Sequence, residues 1–579
     1  MASDAEKTAP FPKETVARVV GQGANVGDFD DARLSGLGYK PELQRKFTLL
    51  SCLAVGFSIS NSWFAVTGAL ATGIGNGGAS IYMYGAILVA LVHVCIGASL
   101  GELASAYPNA GRFQRPAHSS NLSPLWHRGA HDKGLAAKAG TGDDRNGGSY
   151  LTGVAAWAGA MITGASVALV IGQGVVGIII LCRPEKIGFK VLTMIQVVYK
   201  QWMGFVGYQI ANILVFFLNC SNRFLPGLNK ASLYISLISF LAITLAVLIA
   251  SPKKASAEYA STASFASLDD ISGWDNDVVA WILGLLGVNW GFSCLDSCVH
   301  MAEEIPHPEK NIPRAIMGTV AIGFITSWVY SIAIFFSMQD ILSVIATPTM
   351  VPILELFRQA LRGNIPGAVF LEVLVVLTAI GCLMSIHTWQ SRLLWSFSRD
   401  RGFPFSSYLA VVAGAPFSVP LWSHLFSCFW IAVLGILYWV STTAFFSLLT
   451  GGILMQYISY MIPVSLLLIG GRRIPIPGPF YMGRWGWFAN GVLVVWSLFT
   501  LVFYSFPYVM PVTRSNMNYV SVVIAIISSY AVVYWFVRGR KTFKGVKRVH
   551  EIEAAMDITG GPVSGHGVGE ALWVGVSEC

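Results

Sequence analysis

The chain has 579 residues, 54% of them hydrophobic and 12% charged, with a formal net charge of +8. A soluble fold of this length needs far more charged surface, so composition excludes an ordinary soluble enzyme. Nucleic-acid binding is excluded as well, because the positive residues sit between apolar runs rather than on one folded face.

Residues 1–46 are polar and mixed in charge and read as a cytoplasmic tail. The first apolar run starts near Phe47, after that tail, so no secretory signal peptide is expected. From there an apolar, membrane-spanning region extends over 47–537. Its runs reach the ~20 residues needed to cross a bilayer core. They predict spans at 47–70, 80–104, 150–181, 202–221, 229–250, 277–301, 316–338, 366–396, 419–439, 442–469, 486–511 and 518–537. A basic run, Arg538 to Arg548, opens a second cytoplasmic tail over 538–579. Twelve helical spans put both tails on one side. Roughly three in four of the lysines and arginines then fall on that side, which marks it as cytoplasmic because positive loops resist translocation. The nine cysteines show neither metal nor disulfide spacing and read as small buried hydrophobes. No metal or cofactor is expected.

Two spans are interrupted. Span one carries Gly56-Phe57-Ser58-Ile59-Ser60-Asn61-Ser62-Trp63 at its middle, and span six breaks at Gly291-Phe292-Ser293-Cys294. A broken helix at membrane depth leaves backbone groups unpaired, which is tolerated where they line a cavity. Breaks in spans one and six have the spacing of two five-span halves related by inversion, the arrangement of many secondary transporters. The alternative is that these glycines merely let helices pack closely.

The expected substrate site follows from the breaks. Gly56, Ser58, Ser60 and Asn61 give access to backbone N–H groups that suit a carboxylate, whereas carbonyls near Asn289, Trp290 and Gly291 suit an amine. Ser58 and Ser60 equally suit back-bonding within their own helix. Trp63, Trp290 and Phe292 offer aromatic faces to an organic cation, or simply pack. Asp296 is a substrate or proton partner, or the cap of the second half-helix. Glu102, Glu303, Glu304 and Arg314 lie at the inner surface and read as a gate, with Arg392, Arg399 and Arg401 as partners; solvated interface charge is the plainer reading of each alone. His93 and His387 are more often structural than proton relays.

Further motifs are Glu102-Leu103-Ala104-Ser105-Ala106-Tyr107-Pro108, Ala302-Glu303-Glu304 with Ile312-Pro313-Arg314-Ala315-Ile316, Ser398-Arg399-Asp400-Arg401-Gly402-Phe403-Pro404, and Pro477-Gly478-Pro479-Phe480 before Gly483-Arg484-Trp485-Gly486. With the span-one motif they cover about residues 38–540 in order. Together they resemble the amino acid–polyamine–organocation transporter superfamily, and within it the fungal amino-acid/choline permeases, which include GABA and choline permeases. The resemblance implies an all-α membrane fold of ten core spans in two inverted repeats plus two more. It also implies a coupling proton. The chain departs from the family pattern at 112–148, where Gly111-Arg112-Phe113-Gln114-Arg115 leads into a polar, basic run. This run reads as an inner loop with no core to join. One hypothesis is a misread exon boundary or frame error, the other a real run that makes the inner gate between spans two and three unusual, and the transcript sequence decides between them.

The expected function is therefore uptake of a small amino acid or amine such as GABA, through the plasma membrane or alternatively the vacuolar one. Opposed half-helix dipoles suit a zwitterion. A choline-like quaternary amine, a polyamine, and a nutrient sensor on the same fold are the alternatives. No catalytic constellation stands out, so an enzyme is not expected. The topology is checked by cysteine-accessibility labelling. Cysteines placed in 251–276 label in intact cells, whereas labelling only after permeabilisation refutes the arrangement. The sequon at Asn121 stays unglycosylated on the same view.

Overall fold

The computed structural model describes residues 30, 34, 41–108, 143–182, 199–256, 272–472, 474 and 477–543. Most of the two tails, most of the atypical run at 112–148 and the middle of the 251–276 loop lie outside the described residues.

Twelve helices among the described residues are long and apolar enough to cross a membrane. Span one is Leu49–Gly68, span two Ile81–Ala106, span three Gly147–Cys182, span four Gln201–Leu218, span five Leu225–Ala250 and span six Asp277–Met301. Span seven is Pro308–Ser337, span eight Ile365–Arg399, span nine Leu421–Val440, span ten Thr442–Ile469, span eleven Trp485–Phe503 and span twelve Val520–Thr542. The fold is all-helical, as the periodicity and run lengths predict. Large apolar side chains such as Leu91, Ile210, Phe217, Ile238 and Leu241 point outward and are exposed, which suits contact with lipid rather than water.

Local signals set the helix starts. Thr48 and Ser51 form a reciprocal capping box: the Thr48 N–H donates to Ser51 Oγ at 2.6 Å and the Ser51 N–H donates to Thr48 Oγ1 at 3.3 Å. Asn276 accepts from the N–H groups of Val278 and Val279 at 3.0 and 3.2 Å and starts span six. Span seven starts eight residues before the hydropathy signal at Ile316. His307 takes a left-handed conformation (φ 47°), Pro308 opens the helix, and the helix then runs through polar residues that no hydropathy window includes. Between spans seven and eight lies a short helix, Pro352–Ala360, whose two-sided pattern is too short and polar to register as a span.

Packing repeats between the halves. Span two lies on seven, three on eight and four on nine, each pairing a helix with its counterpart; three packs on ten just as eight packs on five. This is the contact pattern of a five-plus-five inverted repeat. Spans eleven and twelve sit outside, eleven on two and ten, and twelve on ten and three.

Spans three and four meet backbone to backbone. A Cβ on Gly172 would stand 2.6 Å from the Gly204 carbonyl oxygen and 2.7 Å from the Tyr208 nitrogen, and one on Gly207 would stand 2.8 Å from Gly172 Cα. Small residues are what allow so close an approach within a membrane. Gly172→Leu is therefore expected to separate the two helices, at a cost of about 1–3 kcal/mol or more, and to reduce folded protein at the cell surface. Gly227→Leu, where no atom lies within 4 Å, leaves the yield unchanged. Surface biotinylation and gel filtration of both variants check this; normal yield from Gly172→Leu would refute the contact.

Candidate substrate site

The two broken spans face each other at the centre of the bundle. In span one the helix continues through Gly56, Ser58 and Ser60 and stops at Asn61, which is left-handed (φ 32°, ψ 64°). The break thus lies beyond the expected glycine, and the N–H groups of the Gly56–Ser60 stretch are not the free ones. The second half, Ser62–Gly68, starts with no side-chain cap, so the first-turn N–H groups from Ser62 to Phe64 are the uncapped donors. In span six the helix ends at Trp290, Cys294 is left-handed (φ 66°), and a 3₁₀ segment runs from Leu295 to Met301. This break stands where the sequence predicts it.

Each break supplies partners to the other. Ser62 Oγ donates to the Gly291 carbonyl at 2.6 Å, and Ser60 Oγ donates to the Ser293 carbonyl at 3.1 Å. The Cys294 N–H donates to Gln456 Oε1 on span ten at 3.0 Å, and Gln456 Nε2 donates to Thr163 Oγ1 on span three at 3.1 Å. A Cβ on Gly291 would stand 2.9 Å from Ala65 Cβ and 3.1 Å from Ser62 Cα, so a side chain there would push the breaks apart. Gly56 is equally tight, but against Cys298 Sγ (2.5 Å) and Thr319 Oγ1 (2.8 Å); here it is a helix contact. The carbonyls expected to meet an amine are already occupied in this conformation. Trp290 O accepts from Ser293, and Gly291 O from Ser62.

Several polar atoms at the centre have no partner: Ser58 Oγ, Asn61 Nδ2, Ser297 Oγ and Thr319 Oγ1 are buried and unbonded. Unpaired polar atoms at this depth are costly, so these groups are open to a polar partner. Asp296 is buried and accepts a hydrogen bond of 2.6 Å from the Tyr460 hydroxyl; His300 Nε2 lies 3.4 Å from its other oxygen. It is therefore held by side chains of spans ten and six, and does not cap the 3₁₀ segment.

The three aromatic residues are not gathered on one face. Trp63 packs on Tyr330 (5.3 Å between centroids) and Phe240 (6.5 Å) and donates to Ser236 Oγ at 2.9 Å. Trp290 is half-buried against Phe64 at 6.1 Å, and Phe292 lies beside His93 at 5.5 Å. His93 hydrogen-bonds Val89 O and the Tyr457 hydroxyl, and Tyr457 donates to Asn289 Oδ1 at 2.7 Å. Tyr457, Tyr460 and Gln456 were not anticipated. Polar residues at 456, 457 and 460 share one helical face within an apolar span, a signal visible in the sequence.

At the face where span one begins and span twelve ends (the terminus-bearing face), three buried ion pairs close the bundle. Arg392 donates to Glu304 from Nε at 2.8 Å and Nη2 at 3.3 Å. Arg399 makes a two-pronged pair with Glu303 and stacks on Trp395 at 3.9 Å. Arg472 pairs with Glu102, whose other oxygen accepts from the Met482 N–H at 3.0 Å. Burial pushes the Glu303 carboxyl above its ordinary pKa, and Arg399 opposes that shift. The expected gate residue Arg314 is exposed on span seven and does not join these pairs; Arg401 is exposed as well. Arg472, in the loop after span ten, pairs with Glu102 instead. All the expected break residues except Trp290 are buried, so the centre is closed to both faces. A cleft of about 430 Å³ on the terminus-bearing face is lined by Glu42, Gln44 and residues 410–413 and 418, and no break residue borders it. His387, His424 and Cys428 hold three donor atoms within 4.8 Å of one another, the one group among the described residues able to ligate a metal. His387 Nδ1 sits 3.3 Å from His424 Nε2 and 3.4 Å from Cys428 Sγ.

The amino acid permease family profile matches residues 47–528. The chain is 44% identical to a choline transporter of Saccharomyces cerevisiae over 514 residues, which is 88% of this chain and 84% of that protein. It is 34% identical to a swainsonine transporter of Arthroderma benhamiae, over 91% of this chain and 98% of the other. A 7-keto 8-aminopelargonic acid transporter of Saccharomyces cerevisiae is 29% identical over 84% of this chain and 91% of its own length.

Breaking a buried ion pair on one side strands a charge and costs about 3–5 kcal/mol, whereas removing both partners costs far less. Glu304→Gln and Arg392→Met alone should each lower the unfolding temperature in detergent strongly, and the double variant should recover most of the loss. Additive losses would refute the pair.

Proposed function

The chain belongs to the amino acid permease family, and from that premise we propose that it carries a choline-like organic cation across the membrane by alternating access. The cargo is drawn inward, with a proton as coupling ion, through the plasma membrane, and the terminus-bearing face is cytoplasmic. The observation that carries this reading is Asp296. It is a buried carboxylate beside the span-six break, held by one tyrosine hydroxyl and a histidine, and among the described residues no lysine or arginine pairs with it. A carboxylate at membrane depth normally faces a partner or a cavity. A small cation suits this carboxylate, and the tyrosine rings of span ten supply the aromatic wall that quaternary ammonium favours. The likeness to a choline transporter over most of the chain supports the same cargo.

A second reading has its own observation. The uncapped N–H groups from Ser62 to Phe64 suit a carboxylate, so a zwitterion such as GABA fits with its acid at span one and its amine at Asp296. Against it, Trp290 O and Gly291 O, two of the carbonyls that would assist the amine, already accept from Ser293 and Ser62 in this conformation.

In either case the cycle is mechanical. Parting the Ser60–Ser293 and Ser62–Gly291 bonds frees carbonyls and hydroxyls to the cargo, and release of the three ion pairs opens the cytoplasmic face. Uptake of labelled choline by cells lacking their own carrier tests the reading. Unlabelled choline should compete and GABA should not. Asp296→Asn should raise the KM for choline about 10- to 100-fold with normal surface abundance, the range expected for loss of a buried charge partner. Competition by GABA or another amino acid with none by choline would overturn the choice and favour the second reading.

A further inference from the structure

Span eight contains a carboxylate that neither the breaks nor the gate uses. Glu372 lies in the run Leu371-Glu372-Val373-Leu374-Val375-Val376, near the end of the helix away from the termini. It is 2% exposed. Its Oε2 has no hydrogen-bond partner. Gly174 of span three faces Oε1, where a Cβ would stand 3.0 Å away, and the Val376 side chain fills the same space. Among the described residues, no lysine, arginine, histidine or second carboxylate on the elements packed against span eight faces it; Tyr330 of span seven is the titratable side chain within electrostatic reach.

An ionised carboxylate with no counter-charge and no donor is very unfavourable in such a place, and the neutral acid is the stable form. The neutral acid still leaves Oε2 unbonded, a cost that an apolar residue such as Leu would avoid. The position is also connected to the moving parts. The Tyr330 hydroxyl accepts from Thr67 Oγ1 at 2.9 Å, and its ring stands edge-on to Trp63 at 5.3 Å, both on the second half of span one. A charge appearing at Glu372 would act on the segment that closes the face away from the termini.

We propose that Glu372 is the proton-carrying site that couples this transporter to a proton gradient. In the closed conformation its carboxyl holds the proton. When the outward face opens, water reaches the carboxylate and an O–H bond forms at the expense of a hydronium ion. When the cytoplasmic face opens, that bond breaks and the proton leaves to water there. One proton thus crosses per cycle with no other co-reactant. The proposal rests on the transport reading above for its cargo.

The test uses the full-length chain reconstituted in phosphatidylcholine vesicles. Infrared spectra at neutral pH should contain a protonated-carboxyl C=O band that is lost in Glu372→Gln, while the amide bands show the helical fold intact. With an acid exterior, the parent protein should concentrate labelled choline several-fold. Glu372→Gln should reach only the equilibrium level while still exchanging labelled for unlabelled choline, and Glu372→Asp should recover gradient-driven accumulation. A Gln variant that keeps the infrared band, or that still accumulates choline down the pH gradient, overturns the assignment. If the parent protein carries another amine instead of choline, the choline reading falls alone and the infrared band still decides Glu372.

Discussion

An interrupted helix inside a bilayer must find partners for the backbone groups it frees, because no water is there to do so. In this protein the two interruptions answer each other. The hydroxyls of Ser60 and Ser62 in span one accept the task that the missing helical turn of span six would have performed, by donating to Ser293 O and Gly291 O. Gln456 completes the arrangement from span ten and ties it to Thr163 on span three. The inverted repeat makes this possible, since it brings spans one and six side by side with their breaks level. A cargo bound at the breaks as proposed would meet carbonyls and hydroxyls that already have a bond to exchange.

The closure at the terminus-bearing face has a different character. Glu303 and Glu304 follow span six and pair with span eight, whereas Glu102 ends span two and pairs with the loop after span ten. The last pair crosses between the halves. Buried ion pairs add little net stability, since desolvation offsets much of the attraction. Their value is directional: each is satisfied in one geometry only, so together they define the closed arrangement sharply against slightly shifted ones.

Much of this was legible in the chain. Run length and hydropathy place all twelve spans, and the breaks announce themselves as small and polar residues within apolar runs. What the pattern does not carry is partner choice. Nothing local distinguishes Arg314 from Arg472; only tertiary packing turns the first outward and brings the second to Glu102. The first break lies at Asn61 rather than near Gly56 because glycine in a membrane helix can serve close packing without ending the helix, and here Cys298 and Thr319 occupy the space its missing side chain leaves. Glu372 is the opposite case. A lone acid amid leucines and valines is plain in the sequence, but its meaning depends on whether any neighbour neutralises it, which only the folded bundle reveals.

The two closures also differ in what opening exposes. Away from the termini, Trp63 is packed between Tyr330 and Phe240, so parting that side brings ring surface into contact with water. On the terminus-bearing side, parting brings carboxylates and guanidinium groups into water instead. Hydrating apolar surface raises heat capacity, whereas hydrating polar surface lowers it. The two half-cycles consequently bend in opposite directions with temperature. On the proposed alternating-access cycle, warming shifts the balance between outward-open and inward-open states, so the transport rate departs from a single Arrhenius slope.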